Sequence, residues 1–430
     1  MRVLMFGWEF PPHIAGGLGT ACEGIVKGLA HNGVETLFVM PCASGDEDQS
    51  CVTILNASDV AVKYVSETVE EFLDKVKFIE VDSSMVPYVD PDEYFEAIEE
   101  MKRNQVRETT VGFGQKFKFS GKYGANLLEE VSRYAQVGGT IAIQHAGEFD
   151  VIHAHDWLTY LAGIAAKELS GKPLVVHVHA TSFDRGSDDM VDSRVYAIEK
   201  RGMEAADRVV TVSDLTRNIV INKYGIDPAK VVTVHNAVDF SGRENLSVER
   251  GVRDKVVTFL GRITFQKGPE YFIEAAAKVL KRTKNVRFVM AGSGDMMQRA
   301  IRQVARLGIS DRFHFTGFLR GQEVQKMFAL SDVYIMPSVS EPFGISPLEA
   351  MRSNVPSIIS HQSGAAEVLK YALKVDFWDV DAMADDIYAL LQYPALADFA
   401  NKQGFDEVNA LKWNNATAKL KKVYESVVNQ

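Results

Sequence analysis

Cysteine is scarce in this sequence, which has only three among its 430 residues: Cys22, Cys42 and Cys51. An odd, sparse set does not make a disulfide framework and fits a reducing compartment. Long apolar runs are missing too, because no stretch approaches the roughly 18 residues that a transmembrane helix needs. The chain begins with a strand-like run and shows no signal peptide. We therefore expect a cytoplasmic protein without a membrane span.

An excess of basic residues is also lacking. The 47 Lys and Arg residues stand against 57 Asp and Glu residues, which gives a formal net charge of −10. This balance argues against nucleic-acid binding. It leaves room for a small anionic ligand, because backbone N–H groups and a few basic side chains suffice to hold one. No Walker A motif is present to make a nucleotide site of that kind.

What the sequence does contain is an alternation of short β-rich runs and helical patterns, which is typical of parallel sheets built from βαβ units. A chain of 430 residues is too long to form a single hydrophobic core, which predicts two domains. The pattern of strands and helices restarts at Val256–Leu260, after a charged candidate linker, Phe240–Asp254. Polar residues 42–122 interrupt the rhythm and are predicted to be an insertion. The predicted α/β organisation is a Rossmann-like domain over 1–240, a second one over 241–410 and a C-terminal helix over 411–430.

Two carboxylates occupy a loop between a predicted strand and a predicted helix in the second half. Glu341 and Glu349 follow the apolar run Val333–Met336, with a Pro/Gly turn between them. The backbone N–H groups at such a turn attract anions and polyhydroxylated ligands. The alternative is an ordinary capped turn with two solvated carboxylates.

Two basic side chains follow another predicted strand. Arg262 and Lys267 are spaced so that both could converge on a diphosphate across one loop. Arginine offers a planar fork and lysine a point charge, and both can stabilise a departing nucleoside diphosphate. Gly292, in a later strand-to-loop turn, would border the nucleotide. Plain surface charge is the alternative for the basic pair.

The first half carries a glycine loop and a histidine-rich segment. Gly16 and Gly17 precede a predicted helix, where glycine permits close backbone approach to a phosphate or a sugar. His153 and His155 alternate at a strand end and so point to one face, with Asp156 beginning the next loop. A metal ion is conceivable there, but no third ligand sits at a diagnostic spacing.

Together these motifs resemble those of the retaining GT-B glycosyltransferases, in the branch of the glycogen and starch synthases. The resemblance rests on the E-x7-E pair, the Gly-Arg and Lys-Gly pairs around Arg262 and Lys267, the H-x-H-D-W segment, the glycine loop and the opening Phe6–Pro12. It implies the GT-B fold, with two Rossmann-like αβα domains facing across a cleft. The last helix would cross back to the first domain. From the pattern alone, packing on its own domain is an equal alternative.

The resemblance also implies an activity, namely transfer of glucose with retention from ADP- or UDP-glucose to the non-reducing end of an α-1,4-glucan. No metal or other cofactor is expected, because the basic pair would neutralise the diphosphate. His177 is expected to lie in the core. The implied residues are Glu341, His179, Arg262 and Lys267 for catalysis, Gly16, Gly17, Gly344, Ile345, Glu349 and Gly292 for donor binding, and Asp156, His155 and Glu9 for the acceptor.

Three alternatives remain open at this stage. The acceptor could instead be a lipid, a sugar phosphate or a cell-envelope glycan. A GT-B-fold sugar-nucleotide epimerase would share the architecture, but such enzymes need acid and base carboxylates and lack the E-x7-E context. A non-catalytic glucan-binding protein would not need the complete Arg, Lys, Glu and Glu set.

Overall fold

The computed structural model describes residues 1–13, 17–77, 114–124, 126–186, 191–238, 248, 250–251 and 253–429. Gly16 lies outside the described residues. So do the central part of the predicted insertion, at 78–113, and most of the predicted linker. The described chain forms two compact units. Unit 1 comprises Met1–Ala237 and Trp413–Gln430, and unit 2 comprises Val238–Lys412.

Unit 1 is built on a seven-stranded parallel sheet with the order β3-β2-β1-β4-β5-β6-β7. Its central strands are buried along almost their whole length, as expected for a parallel sheet covered on both faces, and are apolar apart from Arg2 at the start of the first and three histidines in the next two. The strands are β1 (Arg2–Phe6), β2 (Glu35–Met40), β3 (Thr53–Asn56), β4 (Val151–His155), β5 (Leu174–Val178), β6 (Arg208–Thr211) and β7 (Val231–Thr233).

Helices cover this sheet, and several begin with side-chain caps. Ser213 caps the helix that begins at Asp214 by accepting a hydrogen bond from the Thr216 N–H, and Asp192 caps the helix that begins at Ser193 by accepting one from the Arg194 N–H. The helices described in unit 1 are α1 (Gly17–His31), α2 (Glu67–Lys77), α3 (Leu127–Gln144), α4 (Trp157–Ser170), α5 (Ser182–Arg185), α6 (Ser193–Ala205), α7 (Asp214–Tyr224) and α15 (Trp413–Val428).

The last helix of the chain, α15, packs in unit 1 against α1. A Cβ atom on Gly24 of α1 would lie 2.2 Å from the Trp413 ring, and one on Gly28 would lie 2.6 Å from the Thr417 hydroxyl. The two helices therefore approach closely only because α1 has glycine at these positions. Leu420 and Tyr424 on the same helix are fully buried.

Unit 2 holds a six-stranded parallel sheet with the order β10-β9-β8-β11-β12-β13. Its strands are β8 (Lys255–Leu260), β9 (Val286–Ala291), β10 (Phe313–Gly317), β11 (Val333–Met336), β12 (Ser357–Ser360) and β13 (Leu373–Val375). Its described helices are α8 (Pro269–Arg282), α9 (Met297–Arg306), α10 (Gln322–Leu330), α11 (Ser346–Arg352), α12 (Ala365–Val368), α13 (Val380–Gln392) and α14 (Pro394–Ala410). The prediction of two Rossmann-like α/β domains is confirmed.

One part of the predicted insertion has more regular structure than its polar composition suggested. Thr53–Asn56 pairs with β2 and extends the first sheet, and Glu67–Lys77 forms α2. The strand forms the edge of the sheet, where it is short and half exposed, and the helix contacts α4. Within the described ranges, no helix is long and apolar enough to span a bilayer.

Candidate active site

In unit 2, the loops that follow β8 and β11 meet at the carboxyl edge of the sheet, because these two strands pair directly. The Val339 N–H donates to the Gln266 carbonyl across the two loops, at 2.8 Å. Gly268 ends the first loop with φ +64°, and a Cβ atom there would lie 2.1 Å from the Pro337 carbonyl oxygen. Glycine is therefore required where the two loops touch.

Lys267 and Glu341 form an ion pair at this junction. Their side chains are only 20% and 9% exposed, so each charge depends on the other for compensation. The backbone of Glu341 is fixed by a third loop, the one that follows β12. The Glu341 N–H donates to the Gln362 carbonyl of that loop, and the Glu341 carbonyl accepts from the Gly364 N–H, both at 2.9 Å. Three consecutive strands of the sheet thus position one buried pair of opposite charges.

Arg262 and Gly292 lie on the β8 and β9 sides of the same edge. The Arg262 guanidinium donates to the Gln266 side-chain oxygen at 3.1 Å, which orients it along the loop. Gly292 has φ +146°, and a Cβ atom there would lie 1.8 Å from the Gly261 carbonyl oxygen. The close backbone contact between these two loops excludes any larger residue at Gly292.

The second carboxylate of the pattern, Glu349, lies in the first turn of α11. Burial raises the pKa of the Tyr334 hydroxyl, and the negative charges of Glu341 and Glu349 raise it further. That hydroxyl donates to the Ser346 hydroxyl at 2.7 Å. Glu341 and Glu349 therefore both influence the Tyr334 hydroxyl of β11. Gly344, with φ +94°, and Ile345 connect the two.

In unit 1, Asp156 occupies the turn between β4 and α4. Its backbone has φ +56°, which is uncommon for a residue other than glycine. Its carboxylate accepts hydrogen bonds from the His179 N–H at 2.7 Å and the Ala180 N–H at 3.3 Å. Burial raises the pKa of Asp156 to about 7, against the lowering effect of the Arg185 guanidinium and of these two hydrogen bonds. A buried carboxylate thus fixes the backbone of the loop that carries His179.

Four histidines form a row across β4 and β5, and their rings lie side by side. The His155 Nδ1 and His179 Nε2 atoms share a hydrogen bond of 2.9 Å. Burial lowers the pKa of His179 to about 3 and the pKa values of His153, His155 and His177 well below their usual range. All four rings are therefore neutral at pH 7. His155 is fully buried, whereas His179, which shares that hydrogen bond with it, is partly exposed.

Glu9 and Gly17 lie at the start of unit 1. The Glu9 side chain is buried and accepts a hydrogen bond from the Gly19 N–H, at 3.1 Å, in the first turn of α1. Gly17 is exposed at the beginning of that helix, and Gly16 lies outside the described residues. Burial raises the pKa of the Cys22 thiol, and the negative charges of Glu9 and Asp156 raise it further. Both carboxylates therefore influence the same buried thiol.

Sequence reasoning missed several polar residues around these sites. Arg185 and Glu199 form a buried ion pair at 3.5 Å, and the Glu199 carboxylate also accepts from the Ser182 hydroxyl at 2.7 Å. The Tyr424 hydroxyl, on the last helix, lies 2.7 Å from the His153 Nδ1 atom. The spacing of Thr181 and Asp184, which form a capping box, is the one local signal that could have indicated α5.

Two family models match this chain. The model described as "Glycosyl transferases group 1" matches residues 243–405, and the one described as "Glycosyltransferase Family 4" matches residues 118–241. The first covers most of unit 2 and the second covers the part of unit 1 that contains the histidine row.

Three relatives illustrate the range of similar proteins. An uncharacterized glycosyltransferase of Methanocaldococcus jannaschii is 28% identical over 99% of this chain and 98% of its own length. A glycogen synthase of Mycobacterium tuberculosis is 23% identical over 92% of this chain and 87% of its own. A D-inositol 3-phosphate glycosyltransferase of Kribbella flavida is 29% identical over 63% of this chain and 70% of its own.

Solved structures share the fold at low sequence identity. A sucrose-phosphate synthase from Thermosynechococcus elongatus aligns over 99% of this chain and 98% of its own, with a TM-score of 0.71 and 16% identity. Anabaena HepE, solved in complex with UDP and glucose, aligns over 99% of this chain and 100% of its own, with a TM-score of 0.65 and 16% identity.

Proposed function

We propose that this chain is a GT-B glycosyltransferase of the group 1 family, which the two family models matching 243–405 and 118–241 support. We further propose that it transfers glucose from ADP- or UDP-glucose to the non-reducing end of an α-1,4-glucan with retention of anomeric configuration. The observation that carries the donor half of this proposal is the buried Lys267 and Glu341 pair at the carboxyl edge of the second sheet. In open α/β sheets, ligands bind at that edge.

The donor contacts follow from the charges of unit 2. Lys267 and Arg262 face the two phosphates and offset the negative charge that grows on the leaving diphosphate. Glu341 accepts hydrogen bonds from the sugar hydroxyls, and Glu349 accepts them from the ribose hydroxyls. Gly344, Ile345 and Gly292 let the backbone approach the donor. Gly16 and Gly17 serve the same purpose in unit 1. No metal ion is needed for this neutralisation.

The proposed role of unit 1 rests on the loop held by Asp156. His179 is neutral, so it can offer one nitrogen as donor and the other as acceptor of a hydrogen bond. Since its Nε2 atom is engaged by His155, its Nδ1 atom remains for the donor sugar. Asp156 and His155 fix this loop, and Glu9 fixes the first turn of α1 on the acceptor side. His155 acts as a positioning residue because its own ring is buried.

The proposed chemistry is a front-face substitution. The bond between the anomeric carbon and the diphosphate oxygen breaks, and the acceptor hydroxyl oxygen forms the new bond on the same face. The proton of that hydroxyl moves to the departing diphosphate. The protein contributes position and charge rather than a covalent nucleophile.

A second acceptor class has its own support. The Kribbella flavida relative, named for D-inositol 3-phosphate, has a higher sequence identity within its aligned region than the glycogen synthase, 29% against 23%, although it aligns with less of this chain. A sugar or cyclitol phosphate is therefore the competing acceptor. The family matches favour both of these over the epimerase and the non-catalytic alternatives.

Release of nucleoside diphosphate tests the proposal directly. The panel contains ADP-, UDP- and GDP-glucose, each without acceptor, with maltooligosaccharide or glycogen, and with an inositol phosphate. Glucan-dependent release from ADP- or UDP-glucose is the expected result, and the proton NMR spectrum of the product should show an α-linkage. Release only with the inositol phosphate would transfer the assignment to the second acceptor class. A lack of release with every donor would refute the donor site.

Matched variants tie that activity to the site. Lys267→Met should lower the turnover number by about 10²- to 10³-fold, the usual effect of losing one charged transition-state contact. Lys281→Met removes an exposed lysine on α8 of the same unit and serves as the control. Equal activities of the two variants would contradict the role of Lys267.

A further inference from the structure

Three buried histidines of unit 1 converge in a way that transfer chemistry does not require. His153 and His155 alternate on β4 and share one face, and the register pairs His155 with His177 of β5. One ring nitrogen from each of the three lies within 4.8 Å of the other two. Their exposures are 0%, 0% and 1%. The third ligand that sequence spacing could not supply thus comes from the neighbouring strand.

Within the part of the chain that the structure describes, four nitrogens of these rings have no hydrogen-bond partner. They are the Nε2 atoms of His153 and His155 and both nitrogens of His177. Leaving a polar group buried without a partner costs about 1–3 kcal/mol each. A cluster of such atoms in a core therefore calls for something that satisfies them.

On two of the three rings, those of His153 and His155, the Nδ1 atom is already engaged. The Tyr424 hydroxyl lies 2.7 Å from the His153 Nδ1 atom, and the His179 Nε2 atom lies 2.9 Å from the His155 Nδ1 atom. If each Nδ1 atom carries the proton and donates it outward, each Nε2 atom presents its lone pair inward. Histidines that bind metals are held by this kind of second contact, which fixes the tautomer.

We propose that His153, His155 and His177 bind one divalent metal ion of the class that prefers imidazole, with Zn²⁺ as the representative. The two Nε2 atoms and one nitrogen of His177 would be the protein ligands, and a water molecule would complete a tetrahedron. Zinc–nitrogen bonds are about 2.0–2.1 Å long, so the rings must turn towards one another on binding. The site is separate from the diphosphate site of unit 2.

Such an ion would have a structural effect that extends to the transferase residues. It would join β4 to β5 and, through the His153 contact with Tyr424, to the last helix. It would also fix the proton of His155 on the nitrogen that faces His179. The inference goes beyond the proposed function, because glucose transfer itself needs no metal ion.

Metal content and coordination test this proposal on the full chain. The protein is produced with added Zn²⁺, dialysed against a chelator and analysed for bound zinc, and its X-ray absorption spectrum is recorded. We expect one equivalent of zinc, with nitrogen or oxygen scatterers at about 2.0–2.1 Å and the multiple-scattering pattern of imidazole. A content below a tenth of an equivalent, or a spectrum without imidazole, would overturn the proposal.

Variants identify the ligands. His177→Asn should abolish binding, and Tyr424→Phe should weaken zinc affinity about 10- to 100-fold in chelator competition, as expected for a second-shell contact. His31→Asn removes an exposed histidine of α1 and should leave the stoichiometry unchanged. Full binding by His177→Asn, or loss in His31→Asn, would show surface binding instead and refute the site. If His177→Asn does not fold, the spectrum of the unmodified protein decides. Diphosphate release by the unmodified protein tests the transferase proposal independently.

Discussion

Removal of the Lys267 ammonium should destabilise unit 2, quite apart from its effect on transfer. In Lys267→Met the Glu341 carboxylate stays about nine-tenths buried but loses its charge partner. The Ser338 hydroxyl donates only a long hydrogen bond, of 3.4 Å, to this carboxylate. Breaking a buried ion pair on one side costs about 3–5 kcal/mol. Because Lys267 is itself one-fifth exposed, we expect a loss of stability at the lower end of this range, about 3 kcal/mol.

Hydrogen exchange of the β8 and β11 peptides measures this loss where it occurs. A loss of about 3 kcal/mol corresponds to an exchange rate about 150-fold faster, since each 1.36 kcal/mol is a factor of ten. The double variant Lys267→Met/Glu341→Gln removes the uncompensated charge as well. It should recover most of the protection but none of the diphosphate release, which separates the structural effect from the catalytic one.

If Lys267→Met exchanged within threefold of the unmodified protein, Glu341 would not depend on Lys267 for its charge balance. If the double variant were no more protected than the single one, the loss would come from packing of the lysine stem instead. Exchange in the β4 and β5 peptides of unit 1 provides the internal reference, because they lie in the other unit.

Three further predictions follow from glycine geometry, helix packing and a buried carboxylate. Gly268→Ala should lower diphosphate release at least tenfold, because its Cβ atom would meet the Pro337 oxygen. The control is Gly308→Ala, which has a similar φ but open space around it. It should show only the backbone strain of a left-handed residue, about 1–2 kcal/mol. Leu420→Ala should lower the free energy of unfolding of unit 1 by about 2–5 kcal/mol in urea denaturation, because Leu420 is buried. Lys422→Ala, at an exposed position of the same helix, should change it by no more than about 0.5 kcal/mol. Similar values for both variants would contradict the packing of α15. Burial raises the pKa of Glu199 above its usual 4.5, so the stability that its protonated form contributes is complete below that value and is lost as the pH rises through the raised pKa. Glu199→Gln should therefore flatten the fall in unit 1 stability above pH 4.5, and an unchanged pH profile would refute this assignment.

The fold and the unit 2 site could be predicted largely because parallel sheets place all strand ends at one edge. Lys267 and Glu341 are 74 residues apart, yet each follows an apolar run, and the structure joins them in one ion pair. The two-domain α/β architecture followed from the same alternation. The roles of these residues in transfer stay predictions.

The unit 1 features resisted prediction because they depend on register and on distant contacts. Nothing in the local sequence says that His177 lies opposite His155, since that follows from how β5 pairs with β4. The contact between His153 and Tyr424 spans 271 residues. Strand β3 was missed because an edge strand is short and exposed, so it lacks the apolar run that marks a central strand.

The return of α15 to unit 1 has a consequence for how the protein is made. In the sequence, unit 2 is inserted between the two segments that form unit 1, so the ribosome completes unit 2 before the last helix emerges. Until then, Ile25 and Leu29 of α1 lack part of the apolar cover that they have in the finished molecule. Domains generally fold as they emerge during synthesis. In this chain the N-terminal unit would therefore be the last to reach its final packing, and a ribosome stalled near residue 410 would leave it incomplete.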